Sequence, residues 1–253
     1  MFYSENLKKL KSITHCFFSK KKGFSKGIYK SLNCGKGSKD KKIYIHKNLK
    51  FISKCMGVEK NKLILMHQTH SNKVIEITRN NFKKKIKADA IVTKMKGIAL
   101  GVVTADCVPV ILYDVKNQII GCIHSGWKGA YSDIVKNTIN KIKKMSPNNL
   151  IYACLGPCIA QKSYEVDSIF FKKFVNLSKK NKKYFSNKNS TKKLFNLRRF
   201  VADKLIEHKV RIDHVNKDTY AQKSNFFSYR RSRKLDQKDY GRCISAVCMP
   251  KLY

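Results

Sequence analysis

Three short segments place polar, ligand-capable side chains where strongly apolar stretches end. They are His67-Gln68-Thr69-His70-Ser71, Thr104-Ala105-Asp106-Cys107 and His124-Ser125-Gly126-Trp127. A carboxylate beside a thiol in an apolar run is costly unless the groups are paired or bound to metal. Imidazole and thiolate donors together suit zinc, and three protein ligands with an open fourth position is the catalytic arrangement of that ion. Residue types alone leave blander readings open. A buried cysteine usually serves as a small hydrophobe, and a histidine at a strand end commonly completes a core or a loop. Cys107 follows His70 by 37 residues and His124 follows Cys107 by 17, which matches no generic zinc pattern.

The elements that must position these segments are readable from apolar periodicity. Thr14–Phe18 reads as a strand, followed by a glycine-rich turn at Gly23–Gly27 and the loop SLNCGKGSKD. Apolar residues at spacings of three and four predict a helix from about Ile43 to Cys55. Leu63–Met66 and Lys73–Ile77 are short strands flanking HQTHSN. DAIVT, IALGVVTADCVPVILYD, QIIGCIHSG and LIYACLG are rich in β-branched residues and read as buried strands. Helices are expected over Ala130–Lys144, Asp167–Leu177 and Leu194–Lys209, and terminal strands at Ile212–Val215 and Cys243–Met249. The lysine-rich stretch at about 178–193 reads as an exposed loop or an insertion between helices. Strands interleaved with helices indicate a mixed α/β domain, and with neither a repeat nor a Pro/Ser linker the chain 1–253 is expected to be one domain.

Composition narrows the function classes. The chain has 253 residues, 42% of them hydrophobic, ample for a sizeable core. No apolar run reaches the roughly 18 residues that a membrane span needs, and the N-terminus lacks a secretory signal, so a cytoplasmic location is expected. Nine irregularly spaced cysteines without a CxxC pair fit thiols in a reducing compartment. The formal charge of +39 invites a nucleic-acid reading. Only eight of the 55 basic residues are arginine, however, and seven of those lie at Arg198 or later. Dispersed lysine alongside abundant Asn and Ile is the signature of A/T-rich codons, and surface lysines cost little stability. No specific nucleic-acid partner is expected; a basic nucleic-acid-binding protein is the weakest of the readings.

Five stretches carry a resemblance: HQTHSNKV, ADAIVTKMKGIALGVVTADCVPVILYD, GCIHSGWKGAYSDIV, ACLGPCIAQKSYEV and FFSYRR, in this order. Together they resemble the YfiH-type polyphenol-oxidoreductase or "laccase-domain" family, described as purine nucleoside phosphorylases with adenosine deaminase activity. The resemblance runs from Ser31 to the C-terminal strand. It implies a four-layered α/β/β/α sandwich and one zinc ion held by His70, Cys107 and His124. It also implies purine nucleosides and phosphate as partners, with the chain acting as a monomer or homodimer. Copper chemistry of the multicopper type needs many clustered histidines, and seven in the whole chain do not supply such a set.

Under that reading Cys107, His124 and Asp106 are the catalytic candidates, with Asp106 orienting a histidine or moving a proton. Arg230 and Arg231 persist as arginine in a lysine-preferring chain and suit bidentate phosphate binding. Cys158, Tyr164 and Asn33 are expected to line the pocket, and His67 reads as a strand-end residue. The chain departs from the family pattern at Asp218-Thr219-Tyr220, where relatives often carry Cys before the Thr, and at Lys20–Lys22, where relatives are richer in arginine. A competing reading makes Cys107 a nucleophile activated by His124, in an amide hydrolase that edits peptidoglycan precursors.

Overall fold

The computed structural model describes residues 1–251. Among these residues the strands form two large mixed sheets and one small one. The first sheet carries, in spatial order, Thr14–Phe17, Cys243–Cys248, Ala99–Thr104, Leu63–His67 and Ile86–Lys87. The second carries Arg211–His214, Ile151–Leu155, Val108–Asp114, Ile119–Ser125, Ala90–Thr93 and Val74–Glu76.

Side-chain alternation along each strand sorts the apolar residues into separate cores. From the strand Val108–Asp114, Val108, Val110 and Leu112 pack with helices Ile134–Met145 and Leu197–Glu207. Ile111 and Tyr113 instead join Ile64, Leu100, Val102 and Val247 of the first sheet, so a core lies between the two sheets. A further core joins the first sheet to helix Lys42–Cys55 through Ile45, Leu49 and Ile52. Strands covered on both faces must be apolar throughout, which is why these runs lack the polar alternation of half-exposed strands. Mixed α/β architecture is therefore as expected.

The run IALGVVTADCVPVILYD is two strands, not one: Ala99–Thr104 lies in the first sheet and Val108–Asp114 in the second. The chain crosses between them at Ala105-Asp106-Cys107, turned by Asp106 at φ 84°. The periodic stretch from Ala130 is likewise interrupted, because Asp133 at φ 64° separates Trp127–Tyr131 from Ile134–Met145.

Other expectations need correction. The stretch 178–193 is not an open loop: Lys179–Tyr184 is a 3-10 helix, and Phe185–Asn187 pairs with Lys192–Phe195 as a hairpin. Tyr184 and Phe195 are buried there and stack among Phe174, Phe185 and Phe200, so a few aromatics override the surrounding lysines. Helix Leu197–Glu207 starts three residues later than the periodicity indicates, because the Asn196 side chain caps it by accepting from Arg199 N. The short strands Ile86–Lys87 and Glu165–Asp167 and the helix Tyr229–Lys234 were not expected. No helix among the described residues is long and apolar enough to cross a membrane.

Candidate metal centre

Strand register brings the three polar segments together at one end of the second sheet. Pro109 pairs with His124 and Val108 with Ser125, so Cys107, one residue before that strand, lies beside Gly126. Ala90 pairs with Ile123 and with Val74, which sets Asp89 near His124 and the loop carrying His70 at the same sheet end. His70, Cys107 and His124 each offer one donor atom, and all three atoms lie within 4.8 Å of one another. Cys107 Sγ is 3.9 Å from His70 Nε2, and the two imidazoles meet edge to face with centroids 4.7 Å apart.

Asp89, fully buried, organises this cluster. Its Oδ1 is 2.8 Å from His124 Nδ1 and accepts His70 N–H at 3.0 Å. Its Oδ2 accepts from Ser71 N (2.7 Å), Ser71 Oγ (2.6 Å) and Thr69 N (3.1 Å). Burial by itself would raise this carboxyl, but the hydrogen bonds from His124 and Ser71 overcome it and hold it well below the usual carboxylate range. With Nδ1 bound to an ionised carboxylate, His124 turns its Nε2 towards the cluster, the usual orientation of a metal-ligating histidine.

Electrostatics around the thiol favour its anionic form. Burial pushes Cys107 up, yet the charges and hydrogen bonds of His124 and then His70 outweigh it and bring the thiol down to about 6. For His124, burial lowers, while the Cys107 thiolate and Asp89 raise it to about 9. Space is also fitted to the cluster. A Cβ at Gly126 would stand 2.9 Å from both Cys107 Sγ and His70 Cδ2, closer than real Cβ atoms come. One thiolate and two imidazoles, one of them braced by a carboxylate, fit a single zinc ion. Among the described residues this is the one group of three His, Cys, Asp or Glu donors so arranged. It forms part of the wall of a cleft of about 1390 Å³, together with His67, Gln68, Thr104, Tyr240 and Arg242.

The sequence model for multi-copper polyphenol oxidoreductase laccase matches residues 14–250. The chain belongs to that family. Among curated relatives of this laccase-like, YfiH-type family, a purine nucleoside phosphorylase of Rickettsia conorii is 35% identical over 189 residues, covering 74% of this chain and 78% of its own. One of Haemophilus influenzae is 29% identical over 224 residues, covering 87% and 90%. Among solved structures, the hypothetical protein YfiH of Bacillus licheniformis superposes with a TM-score of 0.85 at 26% identity, over 94% of this chain and 92% of that one.

In this family member the other candidate residues fall outside the cleft. Asp106 is buried with both oxygens taken: Oδ1 accepts from Thr219 Oγ1 (2.7 Å), Oδ2 from Ser228 Oγ (2.8 Å) and Arg230 N (2.7 Å). Burial raises its pKa against those hydrogen bonds. It ties the turn bearing Cys107 to helix Tyr229–Lys234. Arg230 donates to Glu165 O and lies 5.3 Å from the Tyr164 ring. Arg231 donates to the carbonyls of Thr219, Tyr220 and Phe226. Tyr164 packs on Phe195, and Cys158 is fully buried with its thiol pushed up to about 11 by burial. Asn33 is fully buried, donating to Ser38 Oγ and Asp40 Oδ2 and accepting from Gly35 N and Arg242 N.

Three further residues brace the cluster or line the cleft. Asp89 is the lone carboxylate opening the apolar strand DAIVT, a charge that burial punishes unless paired. Gln68 pairs its side-chain amide with Val103 N and O (2.9 and 2.7 Å), continuing the ladder where the strand Leu63–His67 ends. Arg242 stacks on Tyr240 at 4.3 Å and forms no salt bridge among the described residues. Its signal was the rarity of arginine in this chain.

Proposed function

We propose that this chain is a zinc-dependent purine nucleoside phosphorylase that splits adenosine, inosine or guanosine with inorganic phosphate, and deaminates adenosine as a side activity. The observation that carries the reading is the His70–Cys107–His124 cluster in the wall of a cleft of about 1390 Å³, roomy enough for a nucleoside and phosphate together. The activity named for the relatives supports the substrate class. Zinc is favoured over copper because a single mononuclear place with one thiolate and two imidazoles is offered.

In phosphorolysis a phosphate oxygen bonds to the ribose C1′ as the bond from C1′ to the purine nitrogen breaks, and the base leaves with a proton. A zinc ion on these ligands supplies Lewis acidity at the cleft wall. Arg242, whose guanidinium donates to Tyr240 O at 3.4 Å and forms no salt bridge among the described residues, would bind phosphate here, with its backbone N–H fixed by Asn33 Oδ1 at 3.0 Å. Gly35 leaves room for it, since a Cβ there would meet the Arg242 side chain at 2.9 Å. Asp89 sets the orientation of His124, and Asp106 positions Cys107 through its turn. We also read the three apolar cores as the α/β/β/α layering of the family, with both sheets inside.

A second reading, an amide hydrolase with Cys107 as nucleophile, is favoured by the approach of that thiol to the His70 imidazole at 3.9 Å, although His124 is the partner expected from the sequence. The test is one assay: purified protein with adenosine or inosine, with and without phosphate, scored for free base, ribose 1-phosphate and ammonia. Phosphate-dependent base release from inosine supports the proposal. Its absence in zinc-replete protein overturns it.

A further inference from the structure

A second cavity, of about 450 Å³, lies between the segment around Lys20–Ser31 and residues from Ser224 to Gly241. It shares Tyr240 with the metal cleft and no other lining residue. Lys20, Lys21, Lys30 and Arg231 line it, and no carboxylate does. The chain's high lysine content explains Lys21 and Lys30, which are exposed, but not the placement of Lys20. Lys20 is partly buried and its backbone is pinned: its N–H donates to Asn225 O (2.7 Å), and its carbonyl accepts from Leu32 N (2.7 Å) and Ser31 Oγ (2.7 Å). Its ammonium lies 5.6 Å from the Phe227 ring centroid. Neither Lys20, Lys30 nor Arg231 forms a salt bridge among the described residues.

Arg231 spends its donors on three neutral carbonyls, which satisfy its hydrogen bonds without cancelling its charge. Two acids reach it with their fields, Asp106 and then Asp218, and each already accepts three hydrogen bonds from other residues. Burial, then the charge of Arg231 and that of Lys30, holds Lys20 below the usual lysine range. Cations gathered in one concavity repel one another, and a bound anion relieves that repulsion. The volume exceeds what a bare phosphate fills and falls in the range of small-molecule pockets.

We propose that this cavity binds a small phosphate monoester, with Lys20 and Lys30 holding the phosphate in the field of Arg231 and Ile28 and Tyr240 flanking the organic part. The site is separate from the metal cleft and does not depend on which reaction that cleft performs.

Isothermal titration of the full chain with ribose 5-phosphate, ribose and inorganic phosphate tests this. Ribose 5-phosphate is expected to bind and inorganic phosphate to bind more weakly, both with affinity falling as salt rises, while ribose does not bind. Lys20→Met keeps the aliphatic stem and is expected to weaken ribose 5-phosphate at least tenfold, whereas Lys20→Arg restores it and Lys60→Met, in the other cavity, leaves it within twofold. Lysine acetylation read by peptide mass spectrometry locates the site in the unaltered protein. Saturating ribose 5-phosphate should protect Lys20 and Lys30 and leave Lys47 unchanged. Equal acetylation of Lys20 with and without the ester, or equal affinity in Lys20→Met, overturns the proposal.

Discussion

Asp89 holds His124 twice: its Oδ1 lies 2.8 Å from His124 Nδ1, and its backbone carbonyl accepts His124 N–H at 2.7 Å. The same carboxylate gathers the N–H groups of residues 69–71, so one buried acid fixes two of the three metal-ligand candidates. Asp89→Asn keeps the size but removes the charge and replaces one acceptor by a donor. Zinc affinity is expected to fall by about ten- to a hundred-fold, the usual effect of losing a carboxylate behind a ligating histidine. Competitive zinc titration checks this, and an unchanged affinity would remove Asp89 from the account.

Gly126 tests the geometry independently of charge. A Cβ there stands 2.9 Å from Cys107 Sγ and from His70 Cδ2, whereas one at Gly37 meets nothing within 4 Å. Gly126→Ala is expected to weaken zinc at least tenfold, and Gly37→Ala to leave it unchanged. Equal zinc content in both variants would show that the cluster tolerates the displacement.

The ends of apolar strands were legible because ligand-type residues interrupt an otherwise uniform hydrophobic pattern there. Helix Ile134–Met145 was legible for the same reason, since its buried residues recur at spacings of three and four. What stayed hidden was pairing across the sequence. Nothing local says that Asp89 stands near His124, because strand register decides it, nor that Asp106 turns its carboxylate towards Thr219 and Ser228. Arg230 and Arg231 were singled out as the persistent arginines. Their guanidinium groups instead bond backbone carbonyls, while Arg242, persistent for the same compositional reason, lines the cleft. The hairpin from Phe185 to Phe195 was hidden because those two aromatics and the neighbouring Tyr184 outweigh many exposed lysines in deciding its fold.

Ser125 carries a buried hydroxyl with no hydrogen-bond partner among the described residues. Such a group costs about 1 kcal/mol or more in desolvation without return. Ser125→Ala is therefore expected to be neutral or to stabilise by up to about that amount, read by denaturant unfolding, with zinc content unchanged. A clear destabilisation would reveal a partner for the hydroxyl.

His15 predicts a pH dependence. Burial, offset in part by Asp213, lowers it to about 4, and the neutral ring accepts Ser4 N–H at 2.9 Å. The unfolded chain binds the His15 proton with a pKa of about 6.5, so between there and about 4 it holds more protons than the folded one. Stability from this residue is fully present above about pH 6.5 and falls as pH drops towards 4, by up to about 3 kcal/mol. In His15→Gln, unfolding free energy should depend less steeply on pH across that window. An unaltered slope would show that the fall comes from elsewhere.

Cys107 decides the central claim, because a zinc ligand and a free nucleophile respond oppositely to a chelator. The direct measurement is iodoacetamide labelling of Cys107, read by peptide mass spectrometry beside inosine phosphorolysis, before and after chelation and after zinc is restored. A coordinated thiolate is shielded from alkylation until the metal is removed. A zinc-bound Cys107 is expected to label slowly in untreated protein, to label fast with loss of phosphorolysis after chelation, and to regain protection and activity with zinc. Fast labelling in untreated protein, with turnover indifferent to the chelator, would contradict it.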